Sequence, residues 1–131
     1  MPLDFLLSAQ IATAIFWAIL FLQSGLDKVF DWSGNLNWLK GHFEKTPLGG
    51  IVPAMLGSVT LVELAAGVLS AFGAVMLFLE KDTQMAQYGV QLSLLALLML
   101  FFGQRLAKDY EGAASLAMYF GVGLVSVLIL S

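Results

Sequence analysis

Cysteine is absent from the 131 residues of this chain. Its absence excludes disulfide staples, thiolate metal sites, iron–sulfur clusters and thiol redox chemistry together. Small helical membrane enzymes that relay disulfides to quinones are excluded with them. Histidine occurs once, as His42, so a bundle ligating haem iron through paired histidines is excluded as well. Charge is scarce: Asp, Glu, Lys and Arg make up 11% of the chain, against roughly 25% in soluble domains. The formal net charge is −3 and the pI about 4.8. No basic tract is available to grip phosphates, so nucleic acid is not a partner.

Apolar side chains take the place of charge. They form 60% of the sequence, compared with roughly 45–50% in a soluble domain, and the mean hydropathy is +0.89. A soluble domain of 14.1 kDa could not hide that much apolar surface, which excludes a water-soluble globular protein, a disordered chain and a coiled coil. Four apolar runs cover residues 5–26, 53–79, 86–106 and 113–130. Each is long enough to span a bilayer core of ~30 Å, which takes about 20 residues at 1.5 Å rise. No alternating pattern of ~10-residue strands points to a barrel. The expected fold is all-α: an integral membrane, antiparallel four-helix bundle, one domain over residues 1–131, with the lipid bilayer as its first partner.

The opening Met-Pro-Leu-Asp lacks a basic segment, and the apolar run behind it is too long for a signal peptide, so the first span is read as a retained helix. Gly49-Gly50 breaks the chain ahead of the second span, and Pro53 suits its first turn. The connection over residues 27–52 is the long one. Ser33-Gly34-Asn35 reads as a turn, with Asn35 capping a short helix that continues to Lys45. Leu36, Leu39 and Phe43 share one side of it, and Trp32 and Trp38 suit the headgroup region, so this helix is expected to lie on the membrane. The other two connections, residues 80–85 and 107–112, are tight. Lys28, Lys40, Lys45, Arg105 and Lys108 fall on one side of the membrane and Lys81 alone on the other. The positive-inside rule then puts both termini outside.

Small and polar residues mark the faces where helices meet in lipid. The second span carries Gly57, Thr60, Glu63, Gly67, Ser70 and Ala74 in one stripe, the fourth carries Ala113, Ala117 and Gly121, and the first carries Gln10, Thr13, Trp17, Ser24 and Lys28. Gln84, Gln87 and Gln91 share a side of the third span, and Gln10 and Gln91 fall at similar depth, as if to pair.

Glu63 is the most informative residue. It lies ten residues past Pro53, about 15 Å below the surface and near mid-bilayer. Burying an ionisable group there costs roughly 2.5–3.5 kcal/mol on insertion scales, so it should face inward and have a partner. Either it is a carboxyl hydrogen-bonded to a neighbouring helix, or it carries function. Counting at 1.5 Å per residue puts Trp17 level with Glu63, Tyr119 slightly shallower, and Lys28 about 10 Å shallower, out of direct reach unless a helix tilts or water intervenes. The expected site is a polar cluster of Lys28, Glu63, Arg105 and Tyr119, lined by Trp17 and Ser24. Asp27 and Asp31 read as interfacial charge, and His42 as a solvated loop histidine. No Ser/His/Asp set, phosphate-cradling glycine loop or metal-spaced His/Glu motif is present, and no catalytic residue is assigned.

Two segments carry a resemblance. Phe21-Leu22-Gln23-Ser24-Gly25-Leu26-Asp27-Lys28-Val29-Phe30 resembles the hydrophobic-Gly-x-x-Lys-hydrophobic-Phe segment of DoxX-like membrane proteins. Val62-Glu63-Leu64-Ala65-Ala66-Gly67-Val68-Leu69 is similar to that family's Glu-Leu-x-x-Gly segment. The matching positions are Gly25, Lys28, Glu63 and Gly67. The family is named for a small subunit associated with a terminal quinol oxidase and thiosulfate:quinone oxidoreductase in sulfur-metabolising archaea. The resemblance implies a bundle serving a membrane redox or assembly process. The small-residue faces, the short loops and the lack of catalytic equipment point to an accessory subunit or assembly factor of a larger redox-linked complex, expected in a prokaryotic inner (plasma) membrane with other membrane proteins or further copies of itself as partners. With no residues to hold a metal or haem, any cofactor would be a bound quinone or lipid. A quinone- or lipid-binding redox subunit is the second reading and a small proton-coupled transporter the third, though two basic side chains near the carboxyl suit cation efflux poorly.

Overall fold

The computed structural model describes residues 5–131; the opening Met-Pro-Leu-Asp and the signal-peptide argument it carries lie outside them. The helices are α1 (Phe5–Phe30), α2 (Trp32–Phe43), α3 (Val52–Glu80), α4 (Gln84–Leu106) and α5 (Tyr110–Leu130), with a 3-10 turn at Gly49–Ile51 leading into α3. No strand occurs among the described residues. The stretches Phe5–Phe30, Gly49–Glu80, Gln84–Leu106 and Tyr110–Leu130 are long and apolar enough to cross a membrane. The protein is therefore an all-α bundle with the make-up of an integral membrane protein.

Helix ends extend beyond the apolar runs where polar groups satisfy the backbone. The fourth spanning helix starts at Tyr110 because the Asp109 side chain accepts from the backbone N–H of Gly112 at 3.0 Å, which supplies one of the donors a helix start leaves unpaired. α3 stops at Lys81 and α4 just before Lys108. Among the described residues these are the non-glycine ones in left-handed conformation, with φ of 55° and 61°, and each turns the chain back within a few residues. α2 begins earlier than expected, at Trp32. Asn35 does not cap it; its side-chain amide donates to the Asp31 carbonyl at 2.8 Å inside the first turn. α2 ends where Thr46 Oγ1 donates to the Phe43 carbonyl at 2.8 Å.

α3 is the central helix, packed along both α1 and α4; α5 rests chiefly on α4 and touches α1. The predicted α3 stripe is the packed one: Thr60, Glu63, Gly67 and Ser70 are buried, with Gly57 and Ala74 half-buried. Gly25 faces Leu64 and Gly67 faces Leu22, while Gly73 faces Ala86 and Gly89 faces Ser70. Both seams therefore run antiparallel. At Gly67 a Cβ would lie 2.8 Å from the Leu22 backbone nitrogen, so a side chain there forces two backbones apart.

Two packing expectations are corrected. Ala117 and Gly121 of the fourth span are exposed; α5 instead buries Ala113, Gly123, Ser126 and Leu130. Leu94 of α4 fits against Gly123, and Trp17 of α1 bonds Ser126, so these contacts set the rotation of α5. Gln10 and Gln91 do not pair. Gln91 is exposed, Gln10 Nε2 donates to the Ile129 carbonyl at 2.9 Å, and Gln87 Nε2 donates to the Leu130 carbonyl at 2.7 Å. The last carbonyls of a helix have no intrahelical donor, and they draw both amides to the end of α5.

Gly67→Val should destabilise the bundle by about 1–3 kcal/mol through overpacking, whereas Gly121→Ala, with nothing within 4 Å of its Cβ position, should be near neutral. Thermal unfolding in a mild detergent measures both.

Candidate functional site

The site is built where α1 crosses α3. Lys28 and Ser24 are four residues apart on α1 and so share a face. Glu63 lies opposite on α3, with 1% of its side chain exposed against 17% for Lys28. Ser24 Oγ donates to Glu63 Oε2 at 2.6 Å, and Lys28 Nζ donates to Ser24 Oγ at 2.8 Å. Lys28 Nζ also lies 2.9 Å from Glu63 Oε1. That oxygen makes no directed hydrogen bond, so charge attraction holds it. The three side chains close a ring in which both carboxylate oxygens have a partner and the net charge is zero.

The direct contact closes the 10 Å depth gap counted from the sequence. Helical side chains lean toward their own N-terminus. α1 ends and α3 begins at the same face of the bundle, so Lys28 leans inward and Glu63 leans outward, and they meet between their Cα levels.

The other expected members stand elsewhere. Arg105 is exposed in the last turn of α4, with its guanidinium 4.5 Å from the centroid of the Tyr110 ring. At the bundle end it stays solvated and gains a cation–π contact, and the carboxylate it was expected to meet is already matched. Tyr119 is 37% exposed and its ring packs 6.4 Å from that of Phe16, so it does not join the ring of three. Trp17 is fully buried but turned away: its indole N–H donates to Ser126 Oγ at 3.0 Å, and its ring stacks on Phe21 with centroids 5.9 Å apart. Trp17 thus fastens α5 to α1.

Sequence reasoning missed a cavity of about 360 Å³ beside the ring, in which Lys28 forms part of the wall. α3 contributes Met55, Leu56 and Val59, α4 contributes Met99 and Leu100, and α2 closes the space with Leu39 and Phe43. Asn35, Gln104 and Ser115 supply further polar groups. A largely apolar pocket of this size with a few convergent polar groups is the usual form of a small-molecule site.

The expectation of a solvated loop histidine at His42 is corrected. The residue lies on α2, half-buried, with Nε2 2.9 Å from Gln104 Oε1 and 3.8 Å from Asp109 Oδ2. Its ring stacks on Trp38, with centroids 4.5 Å apart. It ties the wall formed by α2 to the α4–α5 turn, and no local sequence signal marks a partnership spanning 62 residues. No group of three or more His, Cys, Asp or Glu side chains suited to a metal ion occurs among the described residues.

Comparison with models of protein families, with curated proteins and with solved structures gives no match for this chain.

Removing one partner from a buried ion pair costs about 3–5 kcal/mol. Lys28→Met, which strands the deeper group, should show that loss in detergent unfolding. Glu63→Leu should cost less, because the freed lysine can turn toward the interface. The double variant should recover most of the stability, a coupling that a double-mutant cycle reads directly. His42→Ala should loosen α2 selectively, seen as faster hydrogen exchange over residues 32–43 with the spanning helices unchanged.

Proposed function

We propose that this chain is a DoxX-like accessory subunit of a redox-linked complex in a prokaryotic inner membrane, and that it binds one lipophilic molecule, a quinone or lipid, in the cavity beside Lys28. The observation that carries this reading is the placement of a fixed ammonium at the edge of a largely apolar space. Glu63 and Ser24 pin Lys28 from behind, while the same side chain lines the cavity in front. A charge held this way supports recognition of a polar head on an apolar body. The residues of the resemblance fit the same arrangement: Lys28 and Glu63 are the pair itself, and Gly25 and Gly67 are the close contacts that bring α1 onto α3.

The accessory role draws on the chemistry at hand. With no cysteine and a single histidine in the chain, electrons would pass through the bound molecule or through a partner. Exposed apolar residues along α5, among them Met118, Val122, Val125 and Leu128, leave room for a neighbouring membrane protein. The enclosure of Glu63 gives the transporter reading no support. Lys40, Lys45, Arg105 and Lys108 remain exposed at one end of the bundle, which favours that end as cytoplasmic with the termini outside.

Purification in a gentle detergent, followed by mass spectrometry of proteins and small molecules, tests the proposal. The expected result is co-purification of another membrane protein together with an isoprenoid quinone or a lipid retained at near-equal amounts. Glu63→Gln should reduce the retained small molecule. Isolation of the wild-type chain alone and ligand-free would overturn both parts.

A further inference from the structure

A second cavity, of about 340 Å³, adjoins the first. Met55, Val59, Met99 and Gly103 line both and form a common wall. The outer space continues between α3 and α4 past Ile51, Ala54, Ser58 and Phe102, all of them exposed on the lipid-facing surface. The common wall is soft: methionine side chains are flexible and adapt to what they touch, and Gly103 adds no side chain. An inner polar-edged chamber thus leads through movable thioethers to an apolar groove that opens sideways.

The chemistry of the inner chamber limits the head that fits it. Lys28 is already neutralised by Glu63, so an anionic head would bring an unmatched charge into a low-dielectric space. Lys28 has three N–H groups; Ser24 Oγ accepts at 2.8 Å, Glu63 Oε1 lies 2.9 Å away, and the Ser24 carbonyl accepts only at 3.5 Å, so this longest contact is the one a ligand oxygen can replace. Gln104 Oε1 is held by His42, leaving its Nε2 to donate as well, while Asn35 has its amide engaged with the Asp31 carbonyl. Donors from a chain segment whose net charge is balanced call for a neutral acceptor, and a carbonyl oxygen is the simplest one.

We propose that the two cavities form a single site for a neutral amphiphile, with a carbonyl-bearing head against Lys28 and Gln104 and one apolar tail lying in the α3–α4 groove, loaded sideways from the bilayer. This rests on the ligand-binding reading above. A prenylated quinone and a monoacyl ester lipid share this chemistry.

The test uses the full chain in nanodiscs of zwitterionic lipid and four probes: a tailless dimethoxy-methyl-benzoquinone, its decyl-tailed homologue, a monoacylglycerol and palmitate. Binding is read by equilibrium titration. The decyl homologue should bind at least about 10-fold tighter than the tailless ring. Ala54→Phe and Ser58→Phe, both lipid-facing substitutions that fill the outer groove without touching the ring of three, should abolish that gain and leave the tailless Kd within about twofold. Lys28→Met should weaken both quinone probes alike. Preference for the decyl quinone or for the monoacylglycerol identifies the source of the head, and either supports the proposal. Groove variants that alter tailed and tailless probes equally, or neither, would overturn the two-chamber site while leaving the ligand reading intact. Tighter binding of palmitate than of both neutral tailed probes would overturn the neutral head. Failure of all four to bind the wild-type chain would overturn the ligand reading itself.

Discussion

A carboxylate in the hydrocarbon layer must find its partners inside the protein, and Glu63 finds them on one helix. Lys28 and Ser24 stand one turn apart on α1 and between them engage both oxygens of the group. Everything at the crossing serves that contact. Gly25 follows Ser24 directly and lets Leu64 approach; Gly67 lies one turn beyond Glu63 and lets Leu22 approach. Lipid gives helices no hydrophobic reason to associate, so close packing and satisfied polarity decide the pairing. Here the same few residues supply both.

The arrangement also explains how a small chain keeps a cation fixed beside a greasy pocket. A free lysine at the end of a spanning helix would extend toward water. Lys28 is held back by its acid and its hydroxyl neighbour, and α2 lies over the same region, fastened by the His42–Gln104 contact and by the buried Phe43. The polar group belongs to the spanning core, while one wall of the pocket belongs to a surface helix. Chemistry and closure are therefore carried by different parts of the fold.

The spans and the α3 stripe were legible because lipid imposes simple rules: long apolar runs, and small or polar residues turned toward other helices. Glu63 was legible for the same reason, since a lone acid in such a run has few alternatives. Its contact with Lys28 was missed because counting along helix axes ignores the lean of side chains. Depth also says nothing about direction around the axis, which is why Arg105 and Tyr119 were grouped with Glu63 although one faces Tyr110 and the other Phe16. In the fourth span, Gly121 and Gly123 offer two possible faces, and a nearly uniform apolar sequence could not choose between them; Leu94 and Trp17 make the choice from other helices. The cavity and the role of His42 depend on where α2 settles, which no local pattern encodes.

The order of the two charges along the chain has a consequence for biogenesis. Lys28 is synthesised first and can wait in the headgroup zone at the end of α1, where its long stem reaches water. Glu63 follows in the middle of a later span and has no such refuge. Its transfer into the bilayer is costly until α1 is alongside. The acid thus gains its full compensation only once α1 and α3 are paired.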